Sequence, residues 1–105
     1  MKMELMEKFN KVKVSNLCSP RSGEPVKNQF NIKTSEGIFY QSYNTLICGI
    51  IDNKLVVNQS ALFSKTTRKY LSVWLDLYFS FNQANKLYRQ IVNANVTEIE
   101  LEVVA

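Results

Sequence analysis

Lys11-Val12-Lys13-Val14 alternates polar and apolar positions, the period of a strand with one buried face. It leads into Cys18-Ser19-Pro20-Arg21-Ser22-Gly23-Glu24-Pro25, a loop that holds both prolines of the chain. The alternation resumes at Gln29-Phe30-Asn31-Ile32-Lys33, and Ser35-Glu36-Gly37 supplies a hairpin turn into Ile38-Phe39-Tyr40-Gln41-Ser42-Tyr43. Leu46-Ile47-Cys48-Gly49-Ile50-Ile51 has no polar position at all, as expected of a central strand covered on both faces. Asp52-Asn53 then suits a tight turn into Leu55-Val56-Val57. The pattern predicts a meander of about five short strands, an ordinary sheet size.

From Ser64 the period changes. Tyr70, Leu71, Val73, Trp74, Leu75, Leu77, Tyr78 and Phe81 recur at helical spacing and cover more than one stripe, which predicts a helix enclosed by the fold. Ala84, Leu87, Tyr88, Ile91 and Val92 continue the helical pattern, with Asn82 as the break or N-cap. Two helices and one bent helix both fit. Glu98-Ile99-Glu100-Leu101-Glu102-Val103 alternates strictly and predicts a last strand with one acidic and one apolar face. Its glutamates repel one another, and the strand best able to relieve them carries Lys11 and Lys13. That pairing would make the chain ends neighbours in the sheet. The expected fold class is α+β: an antiparallel sheet of about five to six short strands packed on one or two helices, with a C-terminal edge strand.

Composition narrows the reading. A chain of 105 residues with 46% hydrophobic content can bury one core and has no room for a second, so residues 1–105 are expected to form a single domain. The net charge of +4 falls short of the dense basic arrays that by themselves indicate nucleic-acid binding. Its distribution is uneven: residues 1–60 carry +3, residues 61–94 carry +4 and residues 95–105 carry −3. Cys18 and Cys48 lie far apart in a chain without histidine, which argues for two buried free thiols and against a metal or redox site. No cofactor is expected. Glu4 and Glu7 interrupt the N-terminal segment as no signal-peptide apolar region would allow, and no run approaches a membrane span. The expectation is a cytoplasmic protein without membrane contact, in which the sequons at Asn58 and Asn95 carry no meaning.

Ser64-Lys65-Thr66-Thr67-Arg68-Lys69-Tyr70 holds the most informative chemistry. Three cations stand where the helix begins, and each costs about 0.3–1 kcal/mol against the positive end of the helix dipole. Lys65, Arg68, Lys69, Ser72 and Asp76 form one polar stripe, and none of its cations has a carboxylate three or four residues ahead. Thr66 or Thr67 capping the helix beside Lys65, Arg68 and Lys69 would bind a phosphate or carboxylate through hydroxyls, open N–H groups and positive charge. The plain alternative is that the threonines only cap and the cations are solvated. Arg21, in Ser19-Pro20-Arg21-Ser22-Gly23, would extend such a site if the glycine turns backbone N–H groups toward an anion; an ordinary strand connection is the alternative. Phe39, Tyr40 and Tyr43 raise a base-stacking sheet face, although strand aromatics usually pack. No histidine, nucleophile elbow or paired acid and base points to catalysis, so the protein is not expected to be an enzyme.

Two segments together resemble a set of small proteins of bacteriophages and related mobile elements. One runs from Ser19-Pro20-Arg21-Ser22-Gly23 through Val26, Asn28-Gln29-Phe30 and Thr34 to Gly37 and Gln41-Ser42-Tyr43. The other, Ser64-Lys65-Thr66-Thr67-Arg68-Lys69-Tyr70, is similar to that family's Ser-x-Thr-Thr-x-x-Tyr signature. The chain departs from the pattern at Ala61-Leu62-Phe63, where the family carries Trp-Asp-Tyr, and at Leu71, where a second arginine is common. The resemblance implies a phage-type accessory protein. Together with the absent catalytic equipment and the uncompensated basic stripe, it makes the first reading a non-enzymatic protein that binds a host or viral macromolecular target in the host cell, such as a nucleic-acid-handling CRISPR effector. Direct, largely sequence-independent DNA or RNA binding is the second reading. A structural or assembly role, through a homodimer formed across a strand edge, is the third.

Overall fold

The computed structural model describes residues 12–58, 64–93 and 98–102, the last of these as a strand placed by its backbone pairing. Its elements are β1 (Lys13–Cys18), β2 (Pro25–Lys33), β3 (Ile38–Ser42), β4 (Thr45–Ile51), β5 (Lys54–Asn58), α1 (Lys65–Tyr78), α2 (Phe81–Asn93) and β6 (Glu98–Glu102). The strands form one antiparallel sheet in the order β1-β2-β3-β4-β5-β6. This is the α+β fold that the change of period predicts, with the C-terminal strand at an edge.

Local chemistry explains the turns. Asp52 and Asn53 have φ of +50° and +62°, the left-handed pair of a type I′ hairpin, which their short polar side chains tolerate. Thr34 closes the β2–β3 turn, its hydroxyl oxygen accepting from the N–H groups of Glu36 and Gly37, each at 3.1 Å. Gly49 stands opposite Phe39 in the middle of the sheet. A Cβ at Gly49 would overlap the Phe39 ring at Cδ1 and lie 2.6 Å from Cε1, so the ring covers bare backbone.

Ser64 caps α1 with extended backbone, φ −91° and ψ 137°, and its Oγ accepts from the Thr67 N–H at 3.4 Å. The helix ends at Phe79, whose N–H reaches the Leu75 carbonyl at 2.9 Å before the chain turns extended. Ser80, not Asn82, starts α2: its Oγ accepts from Gln83 N and its carbonyl from Ala84 N. Asn82 therefore lies inside the helix, and the chain makes two helices.

The helices cover one face of the sheet. Tyr70, Leu71, Trp74 and Leu75 of α1 meet Ala84, Leu87 and Ile91 of α2 over Leu17, Tyr40, Cys48, Leu55 and Val57. Two polar clusters tie α1 to the strands beneath. Gln29 Nε2 donates to Ser42 Oγ at 3.0 Å, Tyr40 Oη donates to Gln29 Oε1 at 2.5 Å, and the Ser42 and Thr67 hydroxyls share a bond at 3.1 Å. One turn further along, Trp74 Nε1 donates to Asn31 Oδ1 at 3.0 Å and Asn31 Nδ2 donates to Tyr78 Oη at 2.6 Å. Gln29 and Asn31 are buried, so each amide depends on these partners for its missing water.

Three expectations change. The chain ends are not sheet neighbours: β6 pairs with β5 and β1 with β2, at opposite edges of the sheet, because the helical layer delivers the chain back beside β5. Lys11 lies outside the described residues, and Lys13 stands opposite Lys33 instead of a glutamate. Cys48 is buried, whereas Cys18, at the end of an edge strand, is exposed. The helical stretch is not enclosed all round either, since Leu77 and Phe81 remain 57% and 73% exposed where α1 and α2 overhang the sheet.

Candidate binding surface at the start of the first helix

The cationic start of α1 is divided between surface and interior. Lys65, Thr66 and Lys69 are exposed, Arg68 is half-buried and Thr67 is buried. No acidic residue stands in the first turn to offset the dipole. Lys69 Nζ lies 5.5 Å from the Tyr70 ring centroid, a cation–π contact that holds the ammonium on the outer side of the helix. Arg68 donates its backbone N–H to the Ser64 carbonyl at 3.1 Å, the first helical bond, so the open N–H groups at this end belong to Lys65 and Thr66.

Thr67 has a different place. Besides the bond between its hydroxyl and Ser42, its carbonyl lies 3.1 Å from Tyr40 Oη, whose single proton is shared between this oxygen and the nearer Gln29 Oε1. The motif residues Gln29, Ser42 and Thr67, which are remote in sequence, thus meet in one buried network with Tyr40. Ser64 caps, and Tyr70 is core. Ser64, Thr67 and Tyr70 are architectural, whereas Thr66 of the same pattern reaches solvent together with Lys65 and Lys69. Ala61-Leu62-Phe63 lie outside the described residues, while Leu71 is fully buried, a position from which an arginine could not reach solvent.

Arg21 is exposed in the β1–β2 loop. The loop closes on itself: Ser19 Oγ accepts from the N–H groups of Arg21 and Ser22, Ser19 O accepts from Gly23 N at 2.8 Å, and Ser22 Oγ accepts from Glu24 N. Gly23 supplies the left-handed φ of +73° that this closure requires. These N–H groups face the serines instead of gathering around an anion. Pro25, at the loop's end, is four residues from Gln29, so the loop begins about 13 Å along β2 from the residue beneath the helix start. The structure sets Arg21 apart from Lys65 and Lys69: the loop residues Ser19 and Pro20 border Val73, Leu77 and Tyr78 in the far half of α1, not its start.

Two buried groups with nucleophilic potential keep their protons. Burial raises the Cys48 thiol and, above all other causes, the Tyr40 phenol far above their ordinary ranges. Phe39, Tyr40 and Tyr43 do not share a face: Tyr40 is core, Phe39 lies on Gly49 on the opposite side, and Tyr43 sits in the β3–β4 turn, 57% exposed at φ +54°. A left-handed tyrosine is an uncommon backbone choice. Among the described residues no cluster of three or more His, Cys, Asp or Glu side chains could hold a metal ion, and no helix is long and apolar enough to cross a membrane.

A family of unknown function, DUF8033, matches the chain over residues 12–94, from the start of β1 to the end of α2. The chain belongs to DUF8033. No curated protein and no solved structure matches it. The DUF8033 region includes both polar clusters and the cationic turn but stops short of β6, so the family's shared part is the meander with its two helices.

Sequence reasoning missed a second surface of this DUF8033 domain. A groove of about 560 Å³ runs between the far half of α1 and the ends of β1 and β2, walled by Leu17, Asn31, Lys33, Val73, Leu77 and Tyr78. The available signal was the apolar surplus of α1: Val73 and Leu77 lie beside the stripe that Tyr70, Leu71, Trp74 and Leu75 fill. On the other face of the sheet a hollow of about 460 Å³ surrounds Gly49, bordered by Phe39, Leu46, Ile51 and Val56.

Proposed function

We propose that this DUF8033 protein is a non-enzymatic accessory protein that acts by docking on a macromolecular target. On this reading it comes from a phage or mobile element and acts in the host cytoplasm on a host or viral complex that handles nucleic acid, such as a CRISPR effector. The observation that carries the reading is the exposed cationic turn at the start of α1, where Lys65 and Lys69 face solvent with no acidic residue in the first turn. Such a turn complements phosphate or an acidic protein surface, with Arg68 beside it and Arg21 on the separate β1–β2 loop. The inward engagement of Ser64, Thr67, Tyr40 and Gln29 supports a binding role over a reactive one, because it leaves the polar side chains of the interior no open site to serve.

The test is affinity purification from host lysate by the parent chain and by Lys65→Ala/Arg68→Ala/Lys69→Ala, each with and without nuclease. A captured complex that survives nuclease and is lost with the triple variant is the expected result. Unchanged capture and unchanged salt dependence would remove the turn from the mechanism. Tight binding of naked duplex or single strand, weakening steeply with salt, would favour direct nucleic-acid binding instead.

A further inference from the structure

We propose that β1 takes up an extended segment of a partner protein as an additional strand, with alternate apolar side chains of that segment entering the groove beside α1 and a carboxylate meeting Lys13 and Lys33. The proposal deepens the reading of a partner-binding module and assigns the partner's chemistry at a surface separate from the cationic turn.

The first support is backbone. β1 is the outermost strand, and among the described residues nothing pairs with its outer side, so its outward N–H and C=O groups form a template for one more strand. Its pairing with β2 is regular from Lys13 to Asn16, and the irregularity comes only between Asn16 and Cys18. Asn16 Nδ2 donates to the Val26 carbonyl at 2.8 Å and holds the strand against β2 at that point.

The second support is the wall beside that edge. Peptides that add to an edge strand gain affinity from the main chain and specificity from pockets for every second side chain. Here Leu17 lies at the base of the groove, and Val73, Leu77 and Tyr78 project from α1 along it. Leu77 is 57% exposed, the most exposed apolar residue of that helix, and it lines the groove together with Ser15 and Leu17 of β1.

The third support is charge. Lys13 and Lys33 are directly opposite in the β1–β2 register, both exposed, and Lys33 borders the groove. Like charges at opposed positions repel, and no glutamate of the last strand relieves them because β6 lies at the far edge. A carboxylate on the incoming segment would. Lys13, Ser15 and Leu17 follow one another at the strand period, so the recognised pattern has an acidic residue at one end and apolar residues two and four positions away.

The probe is a fluorescein-labelled heptapeptide, Glu-Ser-Leu-Ser-Val-Ser-Glu, whose near symmetry allows either strand direction. Fluorescence anisotropy with the full chain should show saturable binding, and hydrogen exchange should slow at alternate amides of β1. Leu77→Lys, a change at an exposed site that the fold tolerates, should weaken binding by about tenfold or more. Lys33→Glu should do the same and regain affinity when lysine replaces both glutamates of the probe. The Lys65, Arg68 and Lys69 substitutions should leave peptide binding intact, so failure here and failure of the cationic turn are read separately. Flat anisotropy to about 1 mM peptide overturns the proposal. So does equal binding of a permuted peptide that lacks the alternation, or indifference to Leu77→Lys. Concentration-dependent self-association that Leu77→Lys abolishes would assign the groove to a second copy of the chain and overturn it as well.

Discussion

Thr67→Val tests whether the motif threonine serves the fold or the surface. Valine matches threonine in shape and β-branching, so packing and helix propensity hardly change. What is lost is the hydroxyl that meets Ser42 Oγ at 3.1 Å inside a site where Gln29, Ser42 and Thr67 are all buried. An ordinary hydrogen bond contributes about 0.5–1.5 kcal/mol, and a buried partner left unsatisfied costs about 1–3 kcal/mol. Ser42 Oγ keeps the Gln29 amide as a donor, at 3.0 Å, which limits the damage to about 1–2 kcal/mol. For a domain near this size that is a fall in Tm of about 5–10 °C. Urea denaturation followed by the fluorescence of Trp74, the one tryptophan of the chain, measures it. Ser42→Ala should cost a similar amount, because it leaves the Gln29 N–H₂ without its acceptor. The double variant should fall short of the sum by about 0.5–1.5 kcal/mol, the coupling of two groups in contact. Stability of Thr67→Val equal to the parent, together with strictly additive effects, would refute the network account and return Thr67 to the list of surface contacts.

Gly49→Ala should destabilise by about 1–3 kcal/mol, since the new methyl group enters the Phe39 ring, and adding Phe39→Ala should recover part of the loss in the same denaturation assay. Asn31→Ala should cost about 2–3 kcal/mol, because it orphans the buried Trp74 indole N–H, and a blue-shifted or altered Trp74 emission in the folded state would accompany it. Tyr43→Gly relieves a left-handed backbone and should raise stability by about 1 kcal/mol; a loss of stability would mean that the Tyr43 ring packs more than its exposure indicates. Stability should fall at high pH. Burial raises the Cys48 thiol and the Tyr40 phenol, so the folded state keeps both protons where the unfolded chain begins to release them, near pH 9.0 and 10.0. The stabilisation is whole below those values and declines above them by about 1.4 kcal/mol per pH unit for each group. Denaturation at pH 8, 9, 10 and 10.5 should show the decline steepen near 10, and Cys48→Ala should remove its earlier step; a flat profile would contradict the burial of these groups.

Much of the fold is written in local pattern. The strand period, the Asp52-Asn53 turn, the apolar run from Leu46 and the switch at Ser64 each depend on residues within a few positions of one another, and each stands in the structure as the period requires. Alternation could not show which strands become neighbours across the helices. Opposite charge favoured pairing the Glu98 strand with the Lys13 strand, yet of the two edges, β1 and β5, it is β5 that Glu98–Glu102 joins, because the helical layer returns the chain on that side. Helix boundaries failed at Asn82 because Ser80 is as good a cap and lies just past the point where Phe79 leaves helical geometry.

For the candidate site the division is similar. The sequence by itself determined that cations crowd the start of α1 without local carboxylates, because charge and helical spacing are both local quantities. Only the tertiary structure decided that Gln29, Ser42 and Thr67 meet in the interior with Tyr40, that Arg21 belongs to a self-closed loop, and that the leftover apolar face of α1 borders an open strand edge. The first and last of those facts rest on segments 13 to 60 residues apart, from Gln29 with Ser42 to Cys18 and Tyr78 around one groove, whereas the loop closes through contacts two to five residues apart. Packing the helical layer over β1, β2 and β3 brings such distant residues together, and no periodicity within either partner encodes the meeting.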